Sequence, residues 1–277
     1  MRKIILHNHL FKNAGTTLDW SLERNFKEQF LDHREDRQMV HEKDHLLNLL
    51  GENKNLKAVS SHNLCFPLPD EHFNFFTLQL LRHPLERVSS VYLFEKQQLS
   101  SSTPGALFAR NNSLNDYVMW RMREDVGCTI RNFQTRKLGV PHKIINNDKL
   151  LEEHFKIAQQ YILKNPLVGI VENYDETMVI FENHLQNEGL EVDLSYIRQN
   201  SGKINHFTFD QKIDFLKSEL DPNTFEELTE KNAYDLKIYE SVKSRQTRLV
   251  EENSYFSQLL LDFKNRCKAI LNNTTTN

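Results

Sequence analysis

Arg2-Lys3-Ile4-Ile5-Leu6-His7-Asn8, followed after His9 by Leu10-Phe11-Lys12-Asn13-Ala14-Gly15-Thr16-Thr17, is the stretch that decides the fold. Residues 2–8 read as a short buried strand, and residues 10–17 as a polar turn. Leu18, Leu22 and Phe26 recur every four residues, which puts one apolar face on a helix predicted to run through residue 30. A strand, a tight turn with glycine and a helix opening on two threonines is the architecture of an anion site. The first-turn amides of a helix lack intrahelical acceptors, and the dipole adds about half a positive charge there. Lys12 brings a full charge, and Gly15 lets the backbone approach an oxyanion closely. Asn13, Ala14, Gly15, Thr16 and Thr17 supply amides, with hydroxyls from the two threonines. The alternative is an ordinary strand–turn–helix connection with a surface lysine. The turn is not a Walker A motif, which has two glycines and a lysine directly before Ser/Thr; here Lys12 precedes the only glycine.

Outward from this stretch, residues 35–50 read as a second helix ending at Gly51, and residues 56–61 as a strand running into His62. Pro67 and Pro69 mark a loop. Residues 73–81 form a strongly apolar strand closed by Arg82-His83, and Pro84 opens a helix with Leu85, Val88, Val91 and Tyr92 on its inner face. Arg82 thus sits where a strand gives way to a helix, the end at which open α/β sheets bind ligands. A guanidinium there can hold a phosphate through two parallel bonds, and Ser90, two helical turns on, can reach the same group. A structural ion pair of Arg82 or Arg87 with Glu86 or Glu95 is the competing reading. Residues 99–113, rich in Ser and Asn, read as a mobile loop and candidate lid.

Helices are predicted near residues 114–125, 128–138, 150–163 and 175–188, with a buried strand at 166–171. The last third is helical, with a capping box at Thr208-Phe209-Asp210-Gln211 and an N-cap at Asp221 before Pro222. Strands alternating with helices give an α/β class, a parallel sheet covered on both faces, with a helical C-terminal extension. No linker splits the chain. The expected organisation is a single domain over residues 1–277, with a nucleotide-binding core at about 1–175 and a helical part at about 176–271.

The 277 residues carry 35 Lys+Arg against 38 Asp+Glu, a net charge of −3, which argues against a nucleic-acid partner. Hydrophobic residues at 39% suffice for a sizeable core. Cys65, Cys128 and Cys267 are too far apart for a disulfide framework or a zinc knuckle. Ile4-Ile5-Leu6 is far short of the about 7–15 apolar residues of a signal-peptide core. No run approaches the about 18 residues of a membrane span. A soluble cytoplasmic protein with no membrane partner is the expectation. Two rivals stay open. His7-Asn8-His9 matches the paired metal histidines of amidohydrolase-like enzymes, with His62 and His83 as further ligands. A P-loop kinase would need a Walker lysine and a magnesium carboxylate, and the sequence shows no dedicated carboxylate cage.

Together, Leu10 to Thr17 and Leu81-Arg82-His83-Pro84-Leu85-Glu86-Arg87 through Ser90 resemble the sulfotransferase superfamily. The likeness is greatest to the branch with the heparan sulfate 2-O- and 6-O-sulfotransferases and related bacterial enzymes. Further matches follow in order: Ser61-His62, Asn132-Phe133-Gln134-Thr135-Arg136, Val168-Gly169-Ile170-Val171-Glu172, and Asn232 with Asp235 and Tyr239. His83 and Ser61 depart from the Asp and Gly common at those places. The resemblance implies a P-loop-like three-layer fold with a central parallel sheet flanked by helices. It implies a transferase using 3′-phosphoadenosine 5′-phosphosulfate (PAPS; product PAP). Lys12 and residues 13–17 would hold the 5′-phosphosulfate, and Arg82 and Ser90 the 3′-phosphate. His62 would be the general base and Lys12 would stabilise the leaving phosphate, with no metal required. His9, Arg121 and Arg136 are candidate contacts for the acceptor, a hydroxyl or amine of a small molecule or a saccharide, with the helix at 114–125 and the 99–113 loop nearby. The alternatives are a nucleotide-dependent kinase and a non-catalytic nucleotide-binding protein of the same fold.

Overall fold

The computed structural model describes residues 1–34, 36–42, 44–64, 71–139, 148–199 and 207–275. Five strands, β1 (Arg2–Asn8), β2 (Phe30–His33), β3 (Ala58–Ser61), β4 (Phe73–Leu81) and β5 (Val168–Ile170), form one parallel sheet in the order β2-β3-β1-β4-β5. β1 alternates between two apolar environments. Ile5 joins a core with Leu18 and Leu22 of α1 (Gly15–Phe26) and with Met178 and Phe181 of α9 (Tyr174–Asn187). Ile4 and Leu6 face the other way, against Met39 of α2 (Asp36–His41) and Leu46 and Leu50 of α3 (His45–Glu52). That period of two, with apolar residues on both sides, is why β1 reads as a continuous hydrophobic run and lies at the sheet's centre. Beyond β4 and β5, a third cluster joins Leu81, Val168 and Ile170 to α8 (Leu151–Lys164) and α12 (Ala233–Glu252).

Several expectations need correction. The first helix does not reach residue 30. It ends at Phe26, where Lys27 takes φ +47°, and a 3₁₀ turn leads into β2, a strand the helical spacing had hidden. In place of the one expected helix stand two short ones, α2 (Asp36–His41) and α3 (His45–Glu52), and Gly51 lies inside the second. The proposed lid at 99–113 is largely α5 (Pro104–Asn111). Pro104 starts it, and Ala106 and Ala109 are buried, so a Ser- and Asn-rich surface concealed a helix that α4 (Pro84–Gln97) holds in place. The predicted helix at 128–138 begins only at Phe133, as α7 (Phe133–Gly139). α6 (Leu114–Met122) stops short of residue 125. Asp221 precedes a proline-led helix as expected, but its carboxylate accepts from Asn115 Nδ2 at 2.8 Å and caps nothing. The Thr208 capping box is present at the start of α10 (Phe209–Glu219). The Pro67–Pro69 loop lies outside the described residues. No helix among the described residues is long and apolar enough to cross a membrane.

The Asn132 and Asn232 motifs lock two helices end to end. Asp235 accepts from the Gln134 amide at 3.0 Å and the Thr135 amide at 2.7 Å, satisfying orphan donors at the start of α7. Asn132, held at φ +43°, returns the favour at the start of α12: its Oδ1 accepts from the Tyr234 and Asp235 amides at 3.0 and 2.9 Å. This reciprocal capping presents the Gln134 carboxamide, fully buried, to two other elements. Its Oε1 accepts from Asn13 Nδ2 at 2.7 Å and the Arg82 amide at 2.9 Å, and its Nε2 donates to the Arg82 carbonyl at 2.8 Å. Each buried group orphaned in this interior costs about 1–3 kcal/mol. Gln134→Leu, similar in size, should therefore lower the stability measured by denaturant unfolding by at least about 2 kcal/mol. A loss within the about 0.5 kcal/mol typical of surface changes would show that the bridge carries no weight.

Candidate active site

The register of the sheet lines up one functional group per strand at its carboxyl edge. In spatial order these are Arg34 after β2, His62 after β3, His9 after β1, Arg82 after β4 and Glu172 after β5. The loop from β1 to α1 is strained: Lys12 and Ala14 both take left-handed backbone, at φ +64° and +58°. Such conformations cost non-glycine residues of order 1–2 kcal/mol each. The strain is held by Asn13, whose buried Nδ2 also donates to the Leu80 carbonyl at 2.8 Å. Gly15 has a second reason for being glycine besides oxyanion approach. A Cβ there would lie 2.3 Å from His9 Cδ2, so only glycine leaves space for that ring.

A cleft of about 860 Å³ gathers Lys12, Ala14, Gly15, Thr16, Thr17, His62, Arg82, Ser90 and His9. Of the residues expected in the site, these nine are brought together. Three are not. Asn13 is 1% exposed and serves the loop from behind. Arg136 is 1% exposed and ion-paired with Asp148, away from the cleft. Arg121 is buried against Glu95 and the Tyr117 hydroxyl, with its guanidinium 4.7 Å from the Trp120 ring, and lines a separate cavity of about 520 Å³ beyond Phe94. Both arginines spend their charge on carboxylates outside the cleft, Arg121 on the partly buried Glu95 and Arg136 on the exposed Asp148.

Lys12 Nζ lies 4.5 Å from the centre of the Phe94 ring. Burial, with Arg82 and Arg87 nearby, pushes its pKa down to about 8. Arg82 donates from Nη1 to the Lys12 carbonyl at 3.0 Å and pairs through Nε and Nη2 with Glu86, so the competing ion-pair reading of Arg82 describes this state. Glu86 is 4% exposed and also takes Lys212 of α10 at 2.9 Å. One buried carboxylate therefore serves two cations and leaves the corner net positive. Burial, reinforced by Glu86, pushes Glu172 up to about 7, which removes part of a second negative charge. Arg87 is buried instead on the Phe11 and Thr129 carbonyls, below the loop.

The cleft's far wall comes from residues that the sequence reading passed over: Tyr174 and Tyr196, edge-to-face at 4.7 Å, with Arg198 and Lys212. Lys212 carried a signal, being four residues past the Thr208 cap. Arg34 carried none while β2 was hidden. Asp19 stood out in principle as a carboxylate between Leu18 and Leu22 on the buried side of α1, and it is 6% exposed.

These features define a class: a parallel α/β protein with a strand–loop–helix connection carrying Lys12 at the carboxyl edge of its sheet and a second cationic corner one strand away. The chain belongs to the Sulfotransferase family, whose family model matches residues 2–240. It is also similar to a protein of Archaeoglobus fulgidus named only as an uncharacterized protein. The two are 26% identical over 249 residues, which is 87% of this chain and 96% of that one.

Lys12 gives a pH prediction. A lysine is cationic below its pKa, so a value near 8 means that the loop loses its charge as pH rises from about 7 to 9. Calorimetric affinity for PAP should fall across that window. Lys12→Arg, charged throughout, should flatten the fall. An affinity independent of pH in the parent would contradict this assignment.

Proposed function

We propose that the protein transfers the sulfuryl group of PAPS to a hydroxyl of a small-molecule or saccharide acceptor. The observation that carries this reading is the pairing, in one cleft, of the α1 amino end and Lys12 with the Arg82–Ser90 corner. Two anion sites held at fixed separation by Gln134 suit a ligand with phosphates at both ends of a nucleoside, and the about 860 Å³ cleft accommodates one. Tyr174, Tyr196, Phe209 and Phe215 are among the aromatic surfaces that the cleft offers to a nucleobase. The cleft draws on both the strand-rich core and the helical part, which favours a single functional unit over residues 1–277.

In such a transfer the protein mainly positions groups and stabilises charge that develops on the leaving phosphate. Lys12 and the free amides at the start of α1 are placed for that charge, and one preorganised donor of this kind is typically worth about 3–4 kcal/mol. No divalent metal is required by this scheme. Ser90, with Arg82, would take the 3′-phosphate, after Arg82 turns at least one donor away from Glu86. The acceptor hydroxyl must lose a proton, and His62 is the base we assign once Arg34 leaves its Nε2.

The first test is thermal shift. PAP without magnesium should raise the unfolding midpoint, and ATP with magnesium should not; the reverse pattern would favour a kinase. PAP binding with no transfer to any acceptor would leave a binding protein of this fold. His62→Ala should lower transfer by about 10²-fold or more while leaving PAP affinity intact. Loss of PAP binding as well would give His62 a structural role.

A further inference from the structure

The imidazoles of His62 and His9 stand side by side at the sheet edge, with ring centroids 4.3 Å apart. Their nitrogens are engaged differently. His62 Nδ1 lies 2.6 Å from the His9 carbonyl oxygen and therefore carries the proton. His62 Nε2 lies 2.5 Å from Arg34 Nη1, which can only donate, so its lone pair is occupied. His9 Nδ1 lies 2.7 Å from Asp19 Oδ2, and no described residue bonds to His9 Nε2. A carboxylate only accepts, so His9 carries its proton on Nδ1 and a free lone pair on Nε2.

Asp19 is the anchor of this arrangement. Its Oδ1 faces His7 Nδ1 at 2.6 Å, and its Oδ2 also takes Arg34 Nη2 at 3.1 Å. Burial alone would favour the neutral acid, but the charge interaction with His7 and the hydrogen bonds from His7 and His9 hold Asp19 well below the usual carboxylate range. Burial likewise lowers the basicity of His9, with Asp19 pulling the other way. The titratable and charged groups that face it are Asp19 on α1, His7 on β1, His62 after β3 and Arg34 after β2. Gly15 seats the ring edge against the amino end of α1, since a Cβ would lie 2.4 Å from His9 Nε2. His9 lines the same cleft as Lys12.

We propose that His9, oriented by Asp19, is a second proton acceptor for sulfuryl transfer, poised while Arg34 holds His62. The proposal rests on the sulfotransfer reading above. As the acceptor oxygen bonds to sulfur, the bond from sulfur to the 5′-phosphate oxygen breaks and its electron pair stays with the phosphate. The hydroxyl proton passes to His9 Nε2 and then to solvent. Asp19 is a positioning residue: it fixes the tautomer and stabilises the imidazolium.

The test uses water as acceptor, following PAP release from PAPS between pH 5 and 9, with PAP affinity measured separately. His9→Asn keeps an N–H for Asp19 but no base. Its rate should fall by about tenfold or more, with the acid limb of the pH profile lost and PAP affinity within about threefold of the parent. Asp19→Asn should move that limb to lower pH, because the charge that raises His9 basicity is gone. A parent-like rate and profile in His9→Asn, or an unmoved limb in Asp19→Asn, would overturn the proposal. Nitrogen-15 spectra of the parent decide independently of turnover and of variant folding. They should show His9 neutral with its proton on Nδ1 at pH 7, and a proton on Nε2 would overturn it. A parent that does not bind PAP would overturn the sulfotransfer reading instead.

Discussion

The site depends on one buried carboxamide. Gln134 touches the anion loop through Asn13 and the end of β4 through the Arg82 backbone, and is itself held at a helix start capped by Asp235. In a dry interior an unmade hydrogen bond is expensive, so the three groups have essentially one mutual arrangement. That arrangement fixes the distance between Lys12 and Arg82. Motifs about 100 residues apart in sequence, around Asn132 and Asn232, thus act on the cleft without lining it.

Charge at the sheet edge is managed by a few buried carboxylates. Arg34, Lys12, Arg82 and Lys212 crowd one edge, and Asp19 and Glu86 each serve more than one cationic or imidazole partner. Burial, with Arg82 and Arg87 nearby, lowers the Lys12 pKa, and the excess of cations suits an anionic ligand. The backbone strain at Lys12 and Ala14 belongs to the same design: the loop is bent at the edge of the cleft, and Asn13 pins the bend from below.

Much of this was legible in the sequence, for identifiable reasons. β1, β4 and the loop between β1 and α1 declared themselves because a buried parallel strand is a continuous apolar run and a helix start needs donors and small residues. Arg82 and Ser90 followed from strand-end logic. β2 stayed hidden because four residues, Phe30–His33, continue a helical spacing until Lys27 breaks it with a positive φ. Arg34 went unseen with it. α5 was masked by its polar surface, although Pro104 announced it. Arg121 and Arg136 misled because charge was counted without its partners: only tertiary structure reveals that Glu95 and Asp148 meet them. Lys212 and Tyr196 enter the cleft from the helical part, a contact that no local pattern encodes.

The central claim is that the α1 amino end and Arg82 grip opposite ends of one nucleoside bisphosphate. Calorimetry with PAP and with adenosine 5′-monophosphate, on the parent, Lys12→Ala and Arg82→Ala, separates the two grips. The account predicts that Lys12→Ala weakens both ligands, whereas Arg82→Ala weakens PAP and leaves the monophosphate almost unchanged. A parent that does not prefer PAP, or an Arg82→Ala variant that loses both ligands equally, would contradict it.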